Sequence, residues 1–154
     1  MIEHVGVERT TYASPPRRFE AGTPPIAPAI GLGAALDWLR EQPWAAMNAH
    51  TARLAQRLLD GLAVLPGLTF VGLHDLRERL PIISFNFEGI HPHDACQVLD
   101  EFGVAVRGGH HCAQPLMDYF KVQGAVRASI APYNDEADID ALLAGLKDAV
   151  RKLK

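Results

Sequence analysis

Ile82-Ile83-Ser84-Phe85-Asn86-Phe87, a proline-led segment from His91-Pro92 to Phe102-Gly103, and Val104-Ala105-Val106 read in order as strand, helix and strand. The first stretch is β-branched and aromatic and alternates in its second half, as a half-buried strand does. Proline in the first helical position has no amide to satisfy and a preset φ, so His91-Pro92 is expected to open a helix. Ala95, Leu99 and Phe102 recur on one face of that helix, and Gly103 ends it. On the N-terminal side, Leu68-Thr69-Phe70-Val71 reads as a short strand, with a charged loop from Asp75 to Arg79 behind it. A helix over roughly 45–64 precedes it, with Met47, Leu54, Leu58 and Leu62 on one stripe, and Pro66-Gly67 stops it. Another helix starts at Ile30 and places Leu32, Leu36 and Leu39 on one face until Pro43.

Toward the C-terminus, Leu116 to Phe120 is long enough for one or two helical turns. Ala125 to Ala131 reads as a strand ending at Pro132. Ile139, Leu142, Leu143, Leu146, Val150 and Leu153 mark a last helix, with Asn134 as its expected cap. Acids in its first turn and Lys/Arg in its last suit the helix dipole. Residues 1–29 hold five prolines and no period, so they are expected to be an irregular connector lying across something else. The sum is an α/β fold: residues 30–154 form a two-layer sandwich, a small mixed or antiparallel sheet covered by helices.

A chain of 154 residues with net charge −3 offers no electrostatic case for nucleic acid or an anionic membrane surface. No apolar run approaches the ~20 residues a bilayer span needs. The first residues lack a signal-peptide pattern, and two cysteines make no disulfide framework, so a reducing, cytoplasmic compartment is the simplest expectation.

Three groups can carry chemistry. Cys112 closes the run Arg107-Gly108-Gly109-His110-His111-Cys112, where nearby cations favour a thiolate and His110 or His111 could take its proton or hold its charge. Arg127 lies inside the apolar strand Val126-Arg127-Ala128-Ser129-Ile130, a costly place unless its planar fork holds a carboxylate. Phe19-Glu20-Ala21-Gly22-Thr23-Pro24 offers a backbone N–H and a hydroxyl to an anion such as phosphate. His91, His93, His110, His111 and Cys112 match no structural zinc spacing, so no metal site is expected. Cys96, beside Leu99 on the inner side of its helix, is expected to be buried and inert.

Together these stretches resemble the C-terminal part of a pyridoxal-phosphate (PLP)-dependent cysteine desulfurase. The likeness is to the group II, Suf-type or NifS-like branch of the class V aminotransferase superfamily. The residues that carry it are Arg17 to Pro24, Ile30 to Leu36, Arg107 to Met117, Val126 to Ser129, and Tyr133-Asn134. They stand in family order over nearly the whole chain. Gly108 replaces a threonine that the family often has there.

The resemblance implies the small C-terminal domain of a fold type I PLP enzyme. It also implies roles, residue by residue. Cys112 attacks substrate sulfur and becomes a persulfide. Arg127 holds the α-carboxylate, and Arg107 lies at the mouth of the site. Thr23 with Gly22 reaches the cofactor phosphate, that of the partner subunit in a homodimer. L-cysteine is the implied substrate and L-alanine the product, with sulfur passed to an acceptor protein for iron–sulfur cluster assembly or other delivery. A selenocysteine lyase of the same family would use the same residues. A non-catalytic small-domain module for binding or sulfur relay is the rival from another class.

One family feature is absent from these residues. The Schiff-base lysine of the family belongs to a larger N-terminal domain, whereas Lys121, Lys147, Lys152 and Lys154 all follow Cys112. The expectation is a fragment, a truncated product, or a split subunit that meets a separately encoded large domain, with PLP not bound covalently and no activity alone.

Overall fold

The computed structural model describes residues 1–73, 75 and 79–153. They form two compact units, Met1–Pro43 and Trp44–Lys154. The first begins with a two-stranded antiparallel hairpin, β1 (Ile2–Val5) and β2 (Thr10–Tyr12), where the sequence reading expects irregular chain. Val5, Thr10 and Thr11 are β-branched, and the Gly6 amide bonds the Arg9 carbonyl (3.0 Å) to close the turn. The hairpin lies beside the 3₁₀ turn Arg17–Phe19, with the Met1 nitrogen 2.6 and 2.8 Å from the carbonyls of Arg17 and Arg18.

Helix α1 (Ile26–Arg40) starts four residues before the expected Ile30, because Pro28 falls in its first turn, where no amide is needed. None of its residues is buried, and Leu32 and Leu36 are exposed, so no core forms on that face. The helix belongs to the N-terminal unit, which runs to Pro43.

The second unit is built on a four-stranded, wholly antiparallel sheet: β3 (Leu68–Phe70), β4 (Ile82–Phe87), β5 (Arg107–Gly109) and β6 (Ala125–Ser129). Its order is β3-β4-β6-β5. One face carries Ile83, Phe85, Phe87, Val126 and Ala128. These pack with Leu54, Leu58 and Leu62 of α2 (Trp44–Ala63), Ala95 and Leu99 of α3 (Pro92–Glu101), and Ile139, Leu142 and Leu146 of α5 (Glu136–Leu153). Met47 is only half-buried at the start of the α2 stripe. This is the expected two-layer α/β fold, with five α-helices among the described residues once α4 (Gln114–Phe120) is counted.

Local departures have local causes. The third strand is the motif Arg107–Gly109 itself, not Val104–Val106, because these three residues pair with β6. Phe102 caps α3 instead of facing inward and is 43% exposed. Asp135, not Asn134, caps α5: its carboxylate accepts from the amides of Ala137 (2.8 Å) and Asp138 (3.1 Å). Asn134 instead accepts from the Ala131 amide (2.9 Å). Of the expected charged loop, Leu76 to Glu78 lie outside the described residues.

Phe85 is fully buried between β4 and the helices, with Phe87 edge-on at 6.0 Å. Phe85→Ala should lower unfolding free energy by about 3–5 kcal/mol, measured by urea denaturation of the chain. A loss near zero would mean that this face is not the core.

Candidate active site

Strand alternation sorts the second unit's side chains. With Val126 and Ala128 committed to the helices, Arg127 emerges on the opposite face, level with Ser84 of β4 on one side and Arg107 of β5 on the other. Thr69 of β3 stands level with Asn86 of β4. The face away from the core is thus polar, and two arginines stand directly opposite each other on it. Like charges so placed repel. Neither makes an ion pair among the described residues. Arg127 is half-buried, and its Nε is sealed from solvent without an acceptor. Leaving such a donor unmet costs about 1–3 kcal/mol, so an anion here would remove both penalties at once.

The Cys112 loop follows β5 directly. The Ala113 amide bonds the His110 carbonyl (2.9 Å), enclosing a turn whose two central residues, His111 (φ 57°) and Cys112 (φ 59°), both lie in the left-handed region. That is the φ pattern of a type I′ turn, which normally takes glycine or asparagine. Each non-glycine residue there costs about 1–2 kcal/mol. The result is an exposed thiol at the turn's tip.

Glycines flank the loop for separate reasons. Gly109 has φ 124°. A Cβ on Gly108 would sit 2.9 Å from the Cys96 sulfur and 3.2 Å from the Pro92 carbonyl oxygen, so a larger residue would require Cys96 or α3 to shift.

The two histidines part company. The His111 ring Nε2 lies 2.9 Å from the Ala125 carbonyl. A carbonyl only accepts, so Nε2 carries the proton and Nδ1 is the bare nitrogen, buried with no partner. Burial, reinforced by Arg127, Arg107 and His110, holds its pKa below the ordinary value of 6.5, although the Ala125 carbonyl opposes this. His111 is therefore neutral and its proton is committed. His110 is exposed and lines a pocket of about 510 Å³ with His91, His93, Gln114 and Asp118. Among the described residues no three His, Cys, Asp or Glu side chains converge as metal ligands would.

Cys96 is half-buried against the core, and burial pushes its thiol pKa up. Gly22 and Thr23 lie in the first unit, in an exposed turn with Gly22 at φ 85° and open space where its Cβ would be. Sequence reasoning missed Asn86, whose Nδ2 donates to the Gly124 carbonyl (2.7 Å) while its Oδ1 is buried without a partner. The available signal was a second polar residue on the alternating face of β4.

A half-polar antiparallel sheet under three helices, with the thiol turn at its edge, makes this an α/β fold, and the aminotransferase class-V family model matches residues 1–142. The chain belongs to that family. It is 48% identical over 147 residues to a probable cysteine desulfurase of Halalkalibacterium halodurans, covering 96% of this chain and 36% of that protein. A probable cysteine desulfurase of Streptomyces coelicolor is 46% identical, with 96% and 35% covered. The chain thus spans about a third of the length of these curated relatives.

Among solved structures it is similar to the Escherichia coli cysteine desulfurase CsdA in its S-sulfonic acid form. The TM-score is 0.80 at 37% identity, with 100% of this chain and 38% of that one covered. It is also similar to a C-DES variant with glycine covalently linked to its PLP cofactor. There the TM-score is 0.59 at 26% identity, covering 94% and 35%. Among the described residues no helix is long and apolar enough to cross a membrane.

Two outcomes follow from this geometry. At neutral pH iodoacetamide should label Cys112 roughly tenfold or more faster than Cys96, read by peptide mass; Cys96 labelled first would refute it. Because His111 is held neutral when folded, unfolding favours its protonation as pH falls through 6.5. Its stabilising contribution is complete above that value and declines below it, so the melting temperature of the wild type should fall more steeply between about pH 7.5 and 5.5 than that of His111→Gln. Parallel curves would count against it.

Proposed function

We propose that these residues supply the sulfur-accepting thiol and the carboxylate clamp of a PLP-dependent cysteine desulfurase acting on L-cysteine. The observation that carries this reading is the half-buried Arg127 with its unmet Nε, on the strand next to the exposed Cys112 turn. The relatives' names and the C-DES structure with PLP support it.

The residues present fit the anionic parts of such a system. Arg127 and Arg107 suit an α-carboxylate, and the open Gly22-Thr23 turn suits a phosphate, that of the partner subunit in a homodimer. They offer no covalent anchor, since no lysine precedes Lys121. When bound, PLP supplies an electron sink for the substrate's carbon skeleton. The chain's own part is then direct. Arg127 fixes the carboxylate through charge-assisted hydrogen bonds, which orients the side chain of cysteine toward the turn. The Cys112 thiolate attacks the substrate sulfur; an S–S bond forms as C–S breaks, its electron pair stays with carbon, and protonation gives L-alanine. Cys112 is left as a persulfide for a sulfur-acceptor protein. His110, exposed near the turn, is the imidazole free to take the thiol proton. The setting is cytoplasmic, with sulfur bound for iron–sulfur clusters or other delivery.

The test compares the 154 residues with a protein that joins them to a lysine-bearing PLP domain, each given PLP and L-cysteine. Alanine should form only in the joined protein, and Cys112→Ser should abolish it. Arg127→Leu should raise KM for L-cysteine about 10- to 100-fold, the loss of a charged hydrogen-bond pair. No alanine from the joined protein, undiminished turnover in Cys112→Ser, or an unchanged KM in Arg127→Leu would overturn the assignment.

A further inference from the structure

We infer that His111 is a positioning residue: its ring, bonded to the Ala125 carbonyl of the strand that carries Arg127, holds the left-handed turn that presents Cys112. The inference goes beyond the proposed function and rests on it only in taking Cys112 as the nucleophile.

The turn from His110 to Ala113 needs an external hold. Its closing bond, from the Ala113 amide to the His110 carbonyl, is common to several turn types and does not by itself select positive φ at two non-glycine residues. Among the described residues, the His111 ring makes the one side-chain hydrogen bond that ties this turn to the sheet.

The acceptor it reaches is held from both sides. Ala125 pairs with Gly109 of β5, and the preceding Gly124 carbonyl receives the Asn86 amide at 2.7 Å from β4. Gly124 also lies so close to Gly109 that a Cβ there would meet its backbone at 3.3 Å. The ring thus anchors the turn to a point fixed by two neighbouring strands. Its geometry argues against a direct role toward the thiol proton. The Nε2 proton is shared with the Ala125 carbonyl, and Nδ1, whose lone pair could accept a proton, is buried and has no hydrogen-bond partner, Cys112 included.

The test uses the chain with isotope-labelled histidine and cysteine, and needs no sulfur chemistry. In the wild type at neutral pH, NMR should find His111 as the Nε2–H tautomer and Cys112 with the coupling and short intraresidue distance of positive φ; an Nδ1–H tautomer overturns the inference. His111→Gln, whose amide can still donate to Ala125, should keep the positive-φ signature and leave Cys112 alkylation within about twofold. His111→Leu should lose the signature and change the Cys112 alkylation rate about tenfold, with Cys96 unaffected. A folded His111→Leu protein that keeps both the signature and the rate makes His111 a space-filling residue and sinks the proposal. If His111→Leu does not fold, the wild-type tautomer and rescue by His111→Gln decide it. Failure of the desulfurase reading would show separately, as absent alanine in the joined protein while these signals stand.

Discussion

The commitment of Val126 and Ala128 to the helical core is the constraint on which the site depends. β6 lies between β4 and β5, so its register is read by both neighbours, and burial of its apolar residues fixes that register. A slip by one residue would turn Arg127 into the core and expose Val126 and Ala128, at several kcal/mol. Hydrophobic burial on one face therefore places a guanidinium on the other with strand-like precision. The same pairing sets Arg107 opposite it, and the two charges make that face an unmet demand for an anion.

Beside Arg127, the thiol sits on a strained backbone, His111 and Cys112 being consecutive non-glycine residues at positive φ. A turn of His111 and Cys112 in left-handed geometry spends a few kcal/mol that glycine or asparagine would not. Asparagine or glycine at position 112 would have no sulfur, and glycine at 111 would have no ring to reach Ala125. The conflict between local preference and side-chain chemistry sits where a functional constraint would put it.

Much of this was legible in the sequence, and the remainder was not for identifiable reasons. The strand at 82–87 and the helices of the second unit follow from apolar period, which is also what builds the core, so reading and structure share a cause. Cys112, Arg107 and Arg127 stood out because their residue types sit oddly among neighbours. The hairpin at the start was invisible, since three- and four-residue strands carry too little alternation to register. Val104–Val106 looked more like a strand than Arg107–Gly109, because glycine-rich sequence has poor β-propensity; pairing with β6 overrode it. Asn86 and the separate duties of the two histidines depend on contacts across the sheet, which spacing along a chain does not encode.

The two halves of the site also differ in what can move. Arg127 is held by backbone bonds to strands on both sides, whereas Cys112 hangs from a four-residue turn with one closing bond and one ring contact. Under the proposed reading, a nucleophile that meets sulfur on one molecule and delivers it to another benefits from being the adjustable partner, while a clamp that orients substrate benefits from being rigid. The sheet satisfies both needs by carrying the clamp in its interior and the thiol just past its edge strand. The glycine at 108 matters for the same reason: it lets α3 press against β5, which braces the edge strand that launches the turn.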